Sequence, residues 1–206
     1  MGYKLIALDI DGTLLNSSNQ ITENVKEAIR KSKEKGVKVV LCTGRPLKGV
    51  ENFLDELNLK EEGDYVSTFN GALVQDAHTG KPISHLTLDY EDLCDLYDLS
   101  VEVGSRSHFY DTRTVYTFNR DVSDYTILEA YLTGVHLNVT ELDEVPKDIA
   151  MSKFMMIDHP EILNECIKKI PEEYYEKYTI VRSTPFFLEF LNRDANKGAG
   201  IGLLSE

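Results

Sequence analysis

Leu5-Ile6-Ala7-Leu8 carries no polar side chain, and Asp9-Ile10-Asp11-Gly12-Thr13 follows it at once. A run this short is no amphipathic helix; it reads as a strand buried on both faces of a parallel sheet. Side chains two apart on a strand share a face, so Asp9 and Asp11 address one site at the carboxyl edge, where open α/β sheets take ligands. Gly12 lets the backbone turn sharply toward an anion, and Thr13 adds a hydroxyl and an amide beside it. Two carboxylates this close repel each other, and a hard divalent cation with oxygen ligands relieves the repulsion. One carboxylate is then free to attack phosphorus while the other moves protons. The competing reading is an Asp-rich turn whose side chains cap their own backbone.

The segments that follow alternate. Thr22 marks the start of a helix that ends at Gly36, with Val25, Ala28 and Ile29 on its apolar face. Val37 to Cys42 reads as a second strand, Thr43-Gly44-Arg45-Pro46 as a turn into a helix with Pro46 in its first turn, and Tyr65 to Phe69 as a third strand ending at Asn70-Gly71. Strand, helix, strand, helix, strand predicts an α/β fold, a Rossmann-like, right-handed, doubly wound parallel sheet. Beyond Gly71 the alternation breaks. Two short extended pieces flank Thr79-Gly80-Lys81-Pro82, helices are expected at 90–103, 122–132 and 160–170, and extended segments at 107–119, 152–157 and 178–192. This pattern predicts an inserted α+β domain, placed at 83–192, with the core formed by 1–82 and 193–206.

The composition excludes some functions. With 42% hydrophobic residues, 206 residues can bury a substantial core. The 22 Lys and Arg stand against 35 Asp and Glu, a formal net charge of −13, and no basic stretch is interleaved with aromatics. Nucleic acid is therefore not expected as a partner, since binding it depends on neutralising phosphates. An acidic chain that handles an anion must offset its own field locally, with metal, lysine or backbone amides. Cys42, Cys94 and Cys166 fit neither a disulfide framework nor a zinc site, which points to reduced thiols and a cytoplasmic location. The apolar runs are short, and Asp9 interrupts the first, so neither a signal peptide nor a membrane span is expected.

Four segments in this order and spacing resemble the haloacid dehalogenase-like phosphatases: Leu-Asp-Ile-Asp-Gly-Thr-Leu-Leu at 8–15, Leu-Cys-Thr-Gly-Arg-Pro at 41–46, Phe-Asn-Gly-Ala at 69–72, and Phe-Leu-Glu-Phe-Leu-Asn with Asn-Lys-Gly at 187–198. The chain is most similar to Cof-type members with a large cap, in particular YidA-like bacterial sugar phosphatases. The resemblance implies that Asp9 is the nucleophile, forming an aspartyl phosphate, and that Asp11 protonates the leaving alkoxide and then activates water. It implies Mg2+ on the Asp9 carboxylate and the Asp11 main-chain carbonyl. Thr43, Gly44 and Gly12 would bind the phosphoryl oxygens, Lys197 would neutralise the phosphoryl group and Asp9, and Asn70 would support that end of the site. Arg45 would either steer the anion or pair with an acid. The cap would supply the leaving-group pocket, with His108-Phe109-Tyr110-Asp111, Arg113, Tyr116, Asn119 and Arg120 as candidates; the competing reading of tyrosines at this density is cap core and cap surface, and the sequence leaves both open.

In the family the chain continues to an acidic Gly-Asp-x-x-Asn-Asp-type motif that completes the metal shell, whereas this sequence ends at Glu206. Taken as written, that implies a truncated chain, weak Mg2+ affinity and little turnover. It also implies a bare apolar edge beside the Asp9 strand, open to self-association. Three functions remain: a Mg2+-dependent phosphatase of small phosphorylated metabolites, with sugar phosphates foremost; a phosphomutase; and a non-catalytic remnant that binds phosphate or a partner.

Overall fold

The computed structural model describes residues 2–204, and within them the chain forms two compact units. One runs up to His85 and resumes at Asn196; the other is Leu86–Ala195. The units part three residues later at each junction than the 83–192 placement. Pro82–His85 pairs with the strand before it, Leu73 opposite His85 and Val74 opposite Ser84, and so stays with the first unit.

The first unit contains β1 (Leu5–Leu8), α1 (Glu23–Glu34), β2 (Lys38–Cys42), α2 (Glu51–Glu56), β3 (Tyr65–Thr68), β4 (Leu73–Asp76) and β5 (Pro82–His85), then a helix at Lys197–Gly202. Its sheet runs β1-β2-β3-β4-β5. The first three strands are parallel and the last two antiparallel. Val39, Leu41 and Val66 pack with Ile10, Leu14, Ile29, Val50 and Leu54. Two local expectations change. β1 is not buried on both faces: Ala7 is exposed and Leu5, Ile6 and Leu8 are half-buried, because β1 pairs with β2 alone among the described residues and lies at the sheet edge. The helix expected from Pro46 starts later. Pro46 leads into a single turn, Leu47–Gly49, and α2 begins after Val50, which gives up helical geometry while its side chain is fully buried.

The second unit contains α3 (Tyr90–Val103), β6 (Ser107–Tyr110), β7 (Thr114–Thr117), α4 (Asp124–Thr133), β8 (His136–Val139), β9 (Lys153–Ile157), α5 (Pro160–Ile167), α6 (Glu172–Lys177), β10 (Tyr178–Thr184) and β11 (Phe187–Asn192). The sheet order is β10-β11-β9-β6-β7-β8, antiparallel except for β7 with β8. α3 starts on a capping box between Asp89 and Asp92 and stops at Gly104, whose φ is +86°. Phe109, Phe154, Met156, Leu188 and Phe190 build the core with Leu93, Leu96 and Leu163. The alternate strand positions carry His108, Tyr110, Lys153, Met155 and Glu189, also buried. β8 and α6 were not foreseen: four residues give little periodicity, and Glu-Glu-Tyr-Tyr-Glu-Lys has no apolar stripe.

His108, Phe109 and Tyr110 are core residues of this unit, so they are not free to form a substrate pocket. Cys42 and Cys166 are buried and Cys94 half-buried, all as free thiols. No described helix is long and apolar enough to cross a membrane. Glu206 lies outside the described residues.

Candidate active site

Asp9 ends β1 and opens a tight turn anchored by the buried side chains of Ile10 and Leu14. The Leu14 amide donates to the Asp9 carbonyl at 3.1 Å and the Leu15 amide to that of Ile10 at 3.1 Å. Gly12 has φ +74°, a left-handed conformation that side-chain-bearing residues avoid. Asp9 Oδ1 accepts from its neighbour's amide, Ile10 N, at 2.9 Å, and from Lys197 Nζ at 2.9 Å. Both members of that ion pair are 40% exposed.

The end of β2 brings the second loop. Thr43 is buried; its amide donates to the Ser67 carbonyl at 2.9 Å, and its hydroxyl accepts from the Arg45 amide at 3.2 Å. Arg45 turns back over the Asp9 turn and grips Asp11 with a two-pronged fork, Nε to Oδ2 at 3.0 Å and Nη2 to Oδ1 at 2.7 Å. Its guanidinium also lies 5.8 Å from the centre of the Phe53 ring. The sequence left Arg45 between anion steering and an acid partner, and the structure shows the acid partner. Each aspartate has its own cation, Lys197 for Asp9 and Arg45 for Asp11. The repulsion expected of the pair is met by side chains.

The third loop follows β3. Phe69, Asn70 and Gly71 have φ values of +48°, +55° and +92°. The Asn70 amide donates to the Thr43 carbonyl at 2.9 Å, and the Phe69 amide to the Arg45 carbonyl at 3.3 Å. A side chain on Gly44 would meet the Asn70 carboxamide at 3.0 Å. The structure thus brings Thr43, Gly44 and Asn70 together on one side, and Lys197 to Asp9. Beside Asn70 stands Gly71, where an added Cβ would sit 2.2 Å from the Asn196 carbonyl oxygen. Its only sequence signal is its place after Asn70.

Asp9, Lys197, Ala7, Cys42, Gly198 and Ile201 line a groove of about 370 Å³. Burial pushes the Cys42 thiol up from its ordinary range, against smaller opposing effects of Ser67 and then Lys197, so it stands there as a neutral thiol. The groove is apolar on its walls and charged where Asp9 and Lys197 meet. A model of haloacid dehalogenase-like hydrolases matches residues 6–206. This chain belongs to that family. A Bacillus subtilis protein provisionally named a phosphatase, YxeH, is 53% identical over 204 residues, spanning 99% of this chain and 76% of its own length. A Streptococcus pyogenes protein, also provisionally named a phosphatase, is 42% identical, over 100% of this chain and 76% of its own. The crystal structure of a haloacid dehalogenase-like hydrolase from Bacteroides thetaiotaomicron superimposes with a TM-score of 0.84 at 26% identity, over 98% of this chain and 76% of that one.

The donor set of this hydrolase is compatible with Mg2+. Asp9 uses Oδ1 for its two contacts, which leaves Oδ2 for a cation, and carboxylate and carbonyl oxygens are the hard ligands Mg2+ takes. Arg45 occupies both carboxylate oxygens of Asp11, so that residue would contribute its main-chain carbonyl. Among the described residues no group of three or more His, Cys, Asp or Glu gathers at one point. The protein atoms described would therefore supply only part of a shell, and Mg2+ commonly keeps several waters and substrate phosphate oxygens.

Proposed function

We propose that this chain is a Mg2+-dependent phosphatase of small phosphorylated metabolites, sugar phosphates being the favoured class, acting through an aspartyl phosphate on Asp9. One observation carries the reading: Asp9 and Lys197, 188 positions apart in sequence, meet at 2.9 Å in an open groove. A carboxylate beside an ammonium in an accessible groove is a nucleophile next to a group that neutralises an incoming anion. Both relatives provisionally named phosphatases cover nearly all of this chain, which supports the same reaction class.

In the proposed first step a carboxylate oxygen of Asp9 forms a bond to phosphorus as the ester P–O bond breaks, and the leaving alkoxide takes a proton from Asp11. In the second, water gives a proton to Asp11 and attacks phosphorus, releasing phosphate and restoring Asp9. Lys197 balances charge on the transferring group, and the Gly44 and Gly12 amides and the Thr43 hydroxyl hold its oxygens. Bound Mg2+ would shield the negative charge shared by Asp9 and the phosphate. Because Arg45 grips both Asp11 oxygens, Asp11 can exchange protons only after the fork opens, and the incoming dianion is the natural competitor for that guanidinium.

The test is hydrolysis of p-nitrophenyl phosphate and of a sugar-phosphate panel by the full chain, with and without Mg2+. Asp9→Asn should lower turnover by roughly 10⁴-fold or more, as loss of a covalent nucleophile does elsewhere. Released inorganic phosphate supports the proposal. An isomeric sugar phosphate as product would replace it with a phosphomutase, and hydrolysis that survives Asp9→Asn would end it.

A further inference from the structure

Gly71 is not among the residues that line the groove with Asp9 and Lys197, yet its surroundings leave it no freedom. Its φ is +92°, and a methyl group there would stand 2.2 Å from the Asn196 carbonyl oxygen, 2.6 Å from the Asn196 carbonyl carbon and 3.0 Å from the Lys197 amide nitrogen. All three obstacles are backbone, so no rotamer change clears them. One helical turn on, a methyl group on Gly200 would meet Ser67 Oγ at 2.9 Å and Gly71 Cα at 3.1 Å. The helix Lys197–Gly202 therefore crosses the loop after β3 with glycine against glycine, over the fully buried Ser67. The same loop holds the Thr43 carbonyl through the Asn70 amide.

We infer that Gly71 is a positioning residue for Lys197: the crossing sets how closely the Asn196-Lys197 backbone approaches β3, and thereby brings Lys197 Nζ onto Asp9. The inference rests on the role given to Lys197 in the proposed function. An added methyl group must displace the Lys197 backbone by an amount on the order of an ångström, and a hydrogen bond is lost over a smaller change. Gly71 thus acts on the anion through Lys197 without contacting it.

Binding of inorganic phosphate to the full chain in the presence of Mg2+, measured by calorimetry on four proteins, tests this: the unmodified chain, Gly71→Ala, Lys197→Met and the double variant. Lys197→Met should weaken binding by about 10- to 100-fold, the range of a charge-assisted hydrogen bond. Gly71→Ala should weaken it at least several-fold, and the double variant should bind no more weakly than Lys197→Met. That non-additivity is the signature of one residue acting through another, which general damage would not produce. Should Gly71→Ala bind as the unmodified chain, or should the two losses multiply in the double variant, the inference is overturned while the role of Lys197 stands. If Lys197→Met itself binds normally, the reading of Lys197 fails first and the inference falls with it. Where thermal melts show that Gly71→Ala does not fold, Gly200→Ala takes its place. It should weaken binding likewise and recover in part when Ser67→Ala removes the nearest obstacle; no loss, or a loss without recovery, overturns the inference.

Discussion

Two lysine–carboxylate pairs in this molecule have nearly the same geometry and opposite character. Lys197 meets Asp9 at 2.9 Å with both side chains 40% exposed; Lys153 meets Glu189 at 3.2 Å with side chains 2% and 4% exposed. The first pair lines an open groove, where the proposed function has it meet an incoming anion. The second is sealed, with Glu129 3.8 Å from Lys153, the Tyr110 hydroxyl donating to Glu129 at 3.3 Å, and the Lys153 ammonium 5.1 Å from the centre of the Tyr110 ring. Water access decides which pair is chemically available and which only holds the fold together. Removing one member of a buried pair strands the other as an uncompensated charge, whereas an exposed pair contributes little to stability.

The largest effect should come from breaking the sealed pair. Lys153→Met leaves the buried Glu189 and the half-buried Glu129 without their cation and should destabilise the second unit by about 3–5 kcal/mol, read from denaturant unfolding. A loss below about 1 kcal/mol would mean that the cluster is wetter than its burial indicates.

Next comes the open pair, where the effect should fall on chemistry. Lys197→Met should reduce turnover by roughly 10²–10³-fold, as removal of a charge-stabilising donor does, and shift unfolding by no more than about 0.5 kcal/mol. A large stability loss with intact turnover would reverse the assignment of the two pairs.

A third test uses pH. His108, beside the sealed cluster, hydrogen-bonds Thr126 Oγ1 through Nδ1 at 3.0 Å and lies 3.1 Å from Met155 Sδ through Nε2. Burial first, and then the nearby Lys153 charge, lower its pKa to about 3. A histidine depressed in the folded state stays neutral there while the unfolded chain binds a proton, so stability is complete above about pH 6.5 and falls as pH drops toward 3. This group should add a slope of ~1.4 kcal/mol per pH unit in that window. Melting curves between pH 7 and 4 should show His108→Gln losing that part of the slope, and an unchanged slope would show that other groups dominate acid unfolding.

The smallest expected effect sharpens the exposed side of the comparison. Arg45→Gln removes the fork on Asp11, a pair with side chains 28% and 58% exposed, and should shift unfolding by only a few tenths of a kcal/mol. Its effect should appear instead in kcat and KM for phosphate esters, measured against Arg45→Lys, which keeps the charge without the two-pronged geometry.

Much of the first unit was legible because its signals are local. An apolar run, a glycine turn and a helix start are decided by neighbouring residues, and α3 of the second unit was placed at 90–103 on the same grounds. Errors arose where a distant neighbour decides. The four-residue run of β1 reads as buried on both faces, whereas its partial exposure follows from having β2 as its one neighbouring strand among the described residues. The sequence left His108, Phe109 and Tyr110 open between pocket and core, because nothing local shows that both faces of β6 are covered.

The sequence by itself determined the residue types of the site and their order: Asp9 and Asp11 after a strand, Thr43 and Gly44 after the next, Asn70 after the third, and Lys197 far downstream. Only the tertiary structure decided that Arg45 takes Asp11, beside the pairing of Lys197 with Asp9 that the resemblance implied. It also decided that Gly71 must carry no side chain, and that Lys153 and Glu189 are closed off while Lys197 and Asp9 stay open. Those outcomes depend on backbone approach and water exclusion between segments far apart in the chain, which no local pattern encodes.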